Sequence, residues 1–185
     1  SNYFKMLLIT NVFRTLEHHM LKEVGKTGFA EGVALKGNQK PLYVATGRAY
    51  DDEMKLRISA HQQARGDHFD TVEQPINLIS ALERARGKYD RVLVDCLTLW
   101  ITNLMMADYD VDESVEALAH WLSTNNDISV ILVSNEVGQG VVPDNKMARE
   151  FVDHAGIAHQ ELARICQNVV FVTSGIAQNL KGELA

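Results

Sequence analysis

RVLVDCLTLW, residues 91–100, decides the fold. After Arg91 the side chains Val92, Leu93 and Val94 run without a polar break until Asp95. A strand covered on one face alternates apolar with polar residues, whereas a strand covered on both faces is apolar throughout. This run therefore reads as a buried strand of a parallel sheet that ends in an acid. Four further runs have the same character: MLLIT at 6–10, LYVAT at 42–46, VILVS at 130–134 and VVFVT at 169–173. Between them, residues 52–65, 76–86, 114–123 and 145–167 have helical spacing. Strands alternating with helices predict an α/β fold with a mostly parallel, doubly wound sheet. Four of the five strands end in Thr10, Thr46, Asp95 and Ser134, and open α/β sheets bind ligands just beyond such carboxyl ends.

The rest of the chain narrows the function class. At 185 residues and 46% hydrophobic content, with no repeat or linker, it reads as one domain over residues 1–185. The net charge of −6 is spread without a single-sign block, which points away from nucleic acid and toward small-molecule chemistry. Cys96 and Cys166 sit in or beside apolar runs and form neither a disulfide framework nor a zinc spacing. The apolar runs are far shorter than the roughly 20 residues that span a bilayer, so no membrane span and a cytoplasmic location are expected.

Three segments carry candidate chemistry. In DDEMKLRISAHQQAR, residues 51–65, Met54, Ile58 and His61 fall in line on a helical projection. A histidine there is either a structural residue of that stripe or a nucleophile, because neutral imidazole is plentiful near pH 7 and can form a covalent phosphorus intermediate. Asp95, at its strand end, either caps the following turn or holds Mg²⁺ beside phosphate oxygens. The loop NEVGQGVVPDN, residues 135–145, has Glu136, Gly138, Gly140 and Pro143, where glycines permit close approach of a ligand or simply serve a tight turn. A fourth feature is partial. Gly25, Lys26 and Thr27 match the end of the phosphate-loop pattern G-x-x-x-x-G-K-[ST], but Met20 stands where its first glycine belongs, and the segment from Thr10 to Gly25 is much longer than the motif allows.

Taken in order, PLYVATGRAYDDEMKLRISAHQQAR, FDTVE, VLVDCLTLWITNL, VILVSNEVGQGVVPDNKMAREFVDHAGIAHQELA and VVFVTSGI closely resemble the bifunctional adenosylcobinamide kinase/adenosylcobinamide-phosphate guanylyltransferase family of cobalamin biosynthesis. The resemblance spans about residues 25–176, and GKTGFAEGVAL matches the end of that family's phosphate loop with the helix after it. It implies a RecA-like P-loop NTPase domain that assembles as a homotrimer. It also implies two reactions: phosphorylation of adenosylcobinamide by ATP or GTP, then transfer of GMP from GTP to adenosylcobinamide phosphate through a guanylylated histidine. By that resemblance His61 is the nucleophile. Gly25, Lys26 and Thr27 meet the triphosphate, with Thr27 and Asp95 holding Mg²⁺. Ala45, Thr46, Gly47, Gln62, Arg65 and Glu73 contact the guanine nucleotide.

The chain departs from the family pattern at residues 11–24, where a glycine-rich GGARSG turn is expected after the first strand. Each backbone donor lost there is a charge-assisted bond worth roughly 1.5–3 kcal/mol. Gln62 replaces a basic residue and Gly66 stands near the place of a proline, while Arg65 remains as a phosphate partner. Alternatives to a working enzyme are a remnant that binds nucleotide or corrinoid without full catalysis, a replaced segment ahead of Gly25, and a P-loop kinase acting on another small alcohol. The last gives no reason for His61 or for the 135–145 loop.

Overall fold

The structure is a computed structural model that describes residues 3–11, 26–48 and 66–183. Seven strands form one sheet in the order β3-β2-β4-β5-β1-β6-β7. They are β1 (Lys5–Thr10), β2 (Leu42–Ala45), β3 (Asp70–Glu73), β4 (Arg91–Asp95), β5 (Ser129–Asn135), β6 (Asn168–Thr173) and β7 (Ile176–Lys181). All neighbours pair in parallel except β6 and β7. The described helices are α1 (Lys26–Leu35), α2 (Leu78–Ala85), α3 (Leu97–Met106), α4 (Val111–Thr124) and α5 (Lys146–Ile165).

The unbroken apolar runs are central strands with a layer on each side. Leu7, Val44, Val92, Val94, Val130 and Leu132 face one way and pack with buried residues of α2 to α5. Met6, Leu8, Tyr43, Leu93, Ile131 and Val133 face the other way, with Ala30, Val33 and Ala34 of α1. The result is the three-layer α/β architecture of P-loop NTPases, with α1 alone among the described helices on its face. Side-chain caps start two helices: Asp110 accepts from the Glu113 N–H, and Asn145 from those of Met147 and Ala148. Such caps are worth about 1 kcal/mol each.

Several boundaries differ from the sequence reading, for local reasons. The strand expected over 42–46 ends at Ala45, because Thr46 turns away to bond the next strand's carboxyl end. β3 and β7 were not expected: both lie at sheet margins and alternate between half-buried and exposed positions, so neither shows a buried run. β7 is secured through Lys181, whose ammonium donates to the Ala163 and Arg164 carbonyls at the end of α5. α3 was hidden because it is apolar on nearly every side, which erases helical periodicity. The helix expected over 52–65 lies outside the described residues.

Candidate functional site at the carboxyl ends of the strands

Because β1 to β6 run parallel, their carboxyl ends share one edge of the sheet. Register places Glu73 beside Ala45 and Ala45 beside Asp95, one row across three strands. With strands about 4.8 Å apart, the two acids stand about 10 Å from each other along that row.

Asp95 follows Leu93 on the α1 side of the sheet, and so does Tyr43, whose hydroxyl donates to Asp95 Oδ2 at 2.5 Å. The N-cap of α3 is Cys96, with no side-chain cap bond. The capping role considered for Asp95 is therefore not what its carboxylate does. Instead its Oδ2 is held by the Tyr43 hydroxyl. Thr10 ends β1 on the same side, and its hydroxyl is buried with no hydrogen-bond partner among the described residues. Lys26 and Thr27 are the first residues of α1, whose amino end carries the positive pole of the helix dipole.

Thr46 is fully buried and saturated with bonds. Its N–H donates to the Asp95 carbonyl at 3.0 Å, and its Oγ1 donates to the Cys96 carbonyl at 2.7 Å and accepts from the Cys96 N–H at 2.8 Å. The side chain thus ties the segment after β2 to the start of α3. Gly47 and Arg48 follow, with Arg48 exposed.

The 135–145 loop leaves β5 next to β1, where the Glu136 N–H donates to the Thr10 carbonyl at 2.7 Å. The Gly138 N–H donates to Glu136 Oε1 at 2.6 Å. A Cβ on Gly140 would meet nothing within 4 Å, so packing within the described residues does not demand glycine there. Below this loop Ser134 Oγ and His159 Nε2 are 2.7 Å apart. Burial pushes the His159 imidazole below its ordinary value, and the Glu136 carboxylate opposes this. The unfolded chain then takes up a proton near pH 6.5 that the folded one resists, so stability is complete above about pH 6.5 and falls as pH drops below it. In His159→Gln, which keeps a polar partner for Ser134, the loss of melting temperature between about pH 7.5 and 5.5 should be smaller than in the parent. Equal losses would remove this account.

No group of three His, Cys, Asp or Glu suited to a metal occurs among the described residues. Mg²⁺ does not need such a cage: it commonly binds one or two carboxylates together with substrate phosphates and water. The Asp95 carboxylate and the Thr10 hydroxyl, which has no hydrogen-bond partner among the described residues, lie on the sheet face that α1 covers and fit a phosphate with its cation. Gly25, His61, Gln62 and Arg65 lie outside the described residues. Gly66, near the place of the family's proline, has φ 53°, which proline, locked near −65°, cannot adopt.

The family model for cobinamide kinase / cobinamide phosphate guanyltransferase matches residues 22–180. The chain belongs to this family. Among curated relatives, the bifunctional adenosylcobalamin biosynthesis protein CobP of Pseudomonas aeruginosa is 41% identical over 161 residues, covering 86% of this chain and 92% of the relative. The CobU proteins of Escherichia coli and Salmonella typhimurium, of the same description, are 34% and 35% identical, each over 85% of this chain and 94% of their own length. Membership in the cobinamide kinase / guanyltransferase family thus extends over most of the chain. The match begins within the 11–24 segment, close to Gly25.

Sequence reasoning missed Tyr43 and Asn103. Tyr43 reads as one more core residue of its strand, and nothing in the letters says that its hydroxyl reaches Asp95. Asn103 did leave a signal, the one amide in LTLWITNLMM, whose other polar side chains are the two threonines Thr98 and Thr102.

Proposed function

We propose that this chain catalyses both reactions in its family's description. It phosphorylates the aminopropanol hydroxyl of adenosylcobinamide with ATP or GTP, then transfers GMP from GTP to adenosylcobinamide phosphate, giving adenosylcobinamide-GDP. Family membership supports the reaction pair. The observation carrying the assignment to a place is the row Glu73–Ala45–Asp95 at the strand ends, on the side where Lys26 and Thr27 open α1.

Lys26 and the first amides of α1 bind the triphosphate, and Asp95 with Thr27 takes its cation. Mg²⁺ would neutralise charge building up on the transferred group. Ala45, Thr46, Gly47 and Glu73 receive the guanine end, and Gln62 and Arg65 lie against the phosphates. In the second reaction a ring nitrogen of His61 attacks the α-phosphorus of GTP and pyrophosphate leaves. A phosphate oxygen of adenosylcobinamide phosphate then attacks the same phosphorus and frees the imidazole. A homotrimer and a cytoplasmic location belong to the same reading. No described helix is long and apolar enough to cross a membrane.

The test is incubation of the protein with adenosylcobinamide, GTP and Mg²⁺, followed by mass spectrometry. Successive appearance of the phosphate and the GDP ester supports the proposal, and unchanged adenosylcobinamide refutes it. A second reading, a nucleotide or corrinoid binder without full catalysis, is favoured by Met20 in the place of the first loop glycine. It predicts that GTP binds without turnover.

A further inference from the structure

Asn103 is a buried polar residue of α3, with 1% of its surface exposed. Burying an amide is unfavourable unless its donors are met. Here Nδ2 donates to the Thr46 carbonyl at 2.7 Å and to the Pro75 carbonyl at 3.0 Å, which uses both of its hydrogens. The two carbonyls belong to different segments: Thr46 follows β2 and Pro75 follows β3. One turn earlier on the same helix face, Trp100 Nε1 donates to the Ile76 carbonyl at 2.7 Å. The Gln74 N–H closes onto the Ala45 carbonyl at 2.8 Å. α3 therefore clamps together the segments that carry Ala45, Thr46, Gly47 and Glu73.

We propose that Asn103 is a positioning residue that sets the preference for GTP over ATP by holding these two segments at a fixed separation, without touching the nucleotide. This rests on the reading that Ala45, Thr46, Gly47 and Glu73 receive guanine. Guanine and adenine differ in the donors and acceptors along their edges, so discrimination needs partners held to within about 0.5 Å. One amide nitrogen can meet two carbonyls from a single point; a hydroxyl carries one hydrogen and a carboxylate none. An amide at position 103 is thus the neutral group suited to joining both segments. Its loss would let them move apart while leaving the phosphate end of the site intact.

Calorimetric titration of GTP and ATP into the parent, Asn103→Ala, Trp100→Phe and Glu73→Gln tests this. Asn103→Ala should weaken GTP about tenfold or more and ATP less than about twofold, since two carbonyls lose their donor near the base. Trp100→Phe keeps an aromatic, though smaller, side chain, loses one bond to the same segment and should shift the preference in the same direction by a smaller factor. Equal weakening of both nucleotides would indicate a purely structural role and overturn the proposal. If Asn103→Ala does not fold, Trp100→Phe decides: an unchanged preference overturns it. Should Glu73→Gln remove the preference while the two α3 variants retain it, the inference fails and the guanine reading stands. An unchanged preference in Glu73→Gln removes the guanine reading. A parent that binds GTP no better than ATP, or binds neither, overturns both.

Discussion

Replacing His61 with alanine is expected to lower guanylyl transfer by about 10⁴-fold or more, because loss of a covalent nucleophile removes the two-step route entirely. Incubated with GTP labelled in the α-phosphate, the parent should acquire a protein-bound GMP that acid releases, as a phosphorus–nitrogen bond is acid-labile. His61→Ala should acquire none. Phosphorylation of adenosylcobinamide needs only the triphosphate, its cation and the acceptor hydroxyl, so this variant should retain that first step. The split between the steps distinguishes a nucleophile from a residue that merely supports the fold, whose removal would lower both. A parent that forms no adduct under these conditions would sink the covalent route.

Asp95→Asn is expected to reduce both reactions, by about 10²–10³-fold, since each draws on the same cation and triphosphate. The variant is nearly isosteric, and the Tyr43 hydroxyl can still donate to the amide oxygen as it does to Oδ2. Its melting temperature should stay close to that of the parent, which makes the kinetic loss attributable to charge. Titrating MgCl₂ at saturating GTP should show half-maximal rate at a higher concentration than in the parent. Near-parental rates would mean that Asp95 serves Tyr43 and the sheet alone, with no part in holding the cation.

The two residues differ in how legible they were. Asp95 ends a run of buried β-branched residues, so strand and acid could both be read from RVLVDC, and the structure adds Tyr43 as the group that orients the carboxylate. His61 is singled out by resemblance to a family, since its helical projection is equally that of a structural histidine, and it lies outside the described residues. The tripeptide Gly25-Lys26-Thr27 was ambiguous on its own letters. Lys26 and Thr27 open α1, which packs on the Asp95 side of the sheet, and that placement is what makes the match chemically coherent.

By itself the sequence determined the central strands, the sense of the sheet and the edge at which a ligand is to be expected. Burial on both faces leaves a continuous apolar run, and parallel strands send their carboxyl ends to one side. It also determined the family, through ordered motifs that outlast the departure at residues 11–24. Only the tertiary structure decided the marginal strands β3 and β7, whose neighbours protect them on too few sides to imprint a pattern. It alone decided the apolar helix α3, which has no periodicity to read. The bonds from Tyr43 to Asp95 and from Asn103 to Thr46 and Pro75 belong there too. Each joins residues more than 25 positions apart, and such a contact comes into being only when the chain has folded and brought its partners together.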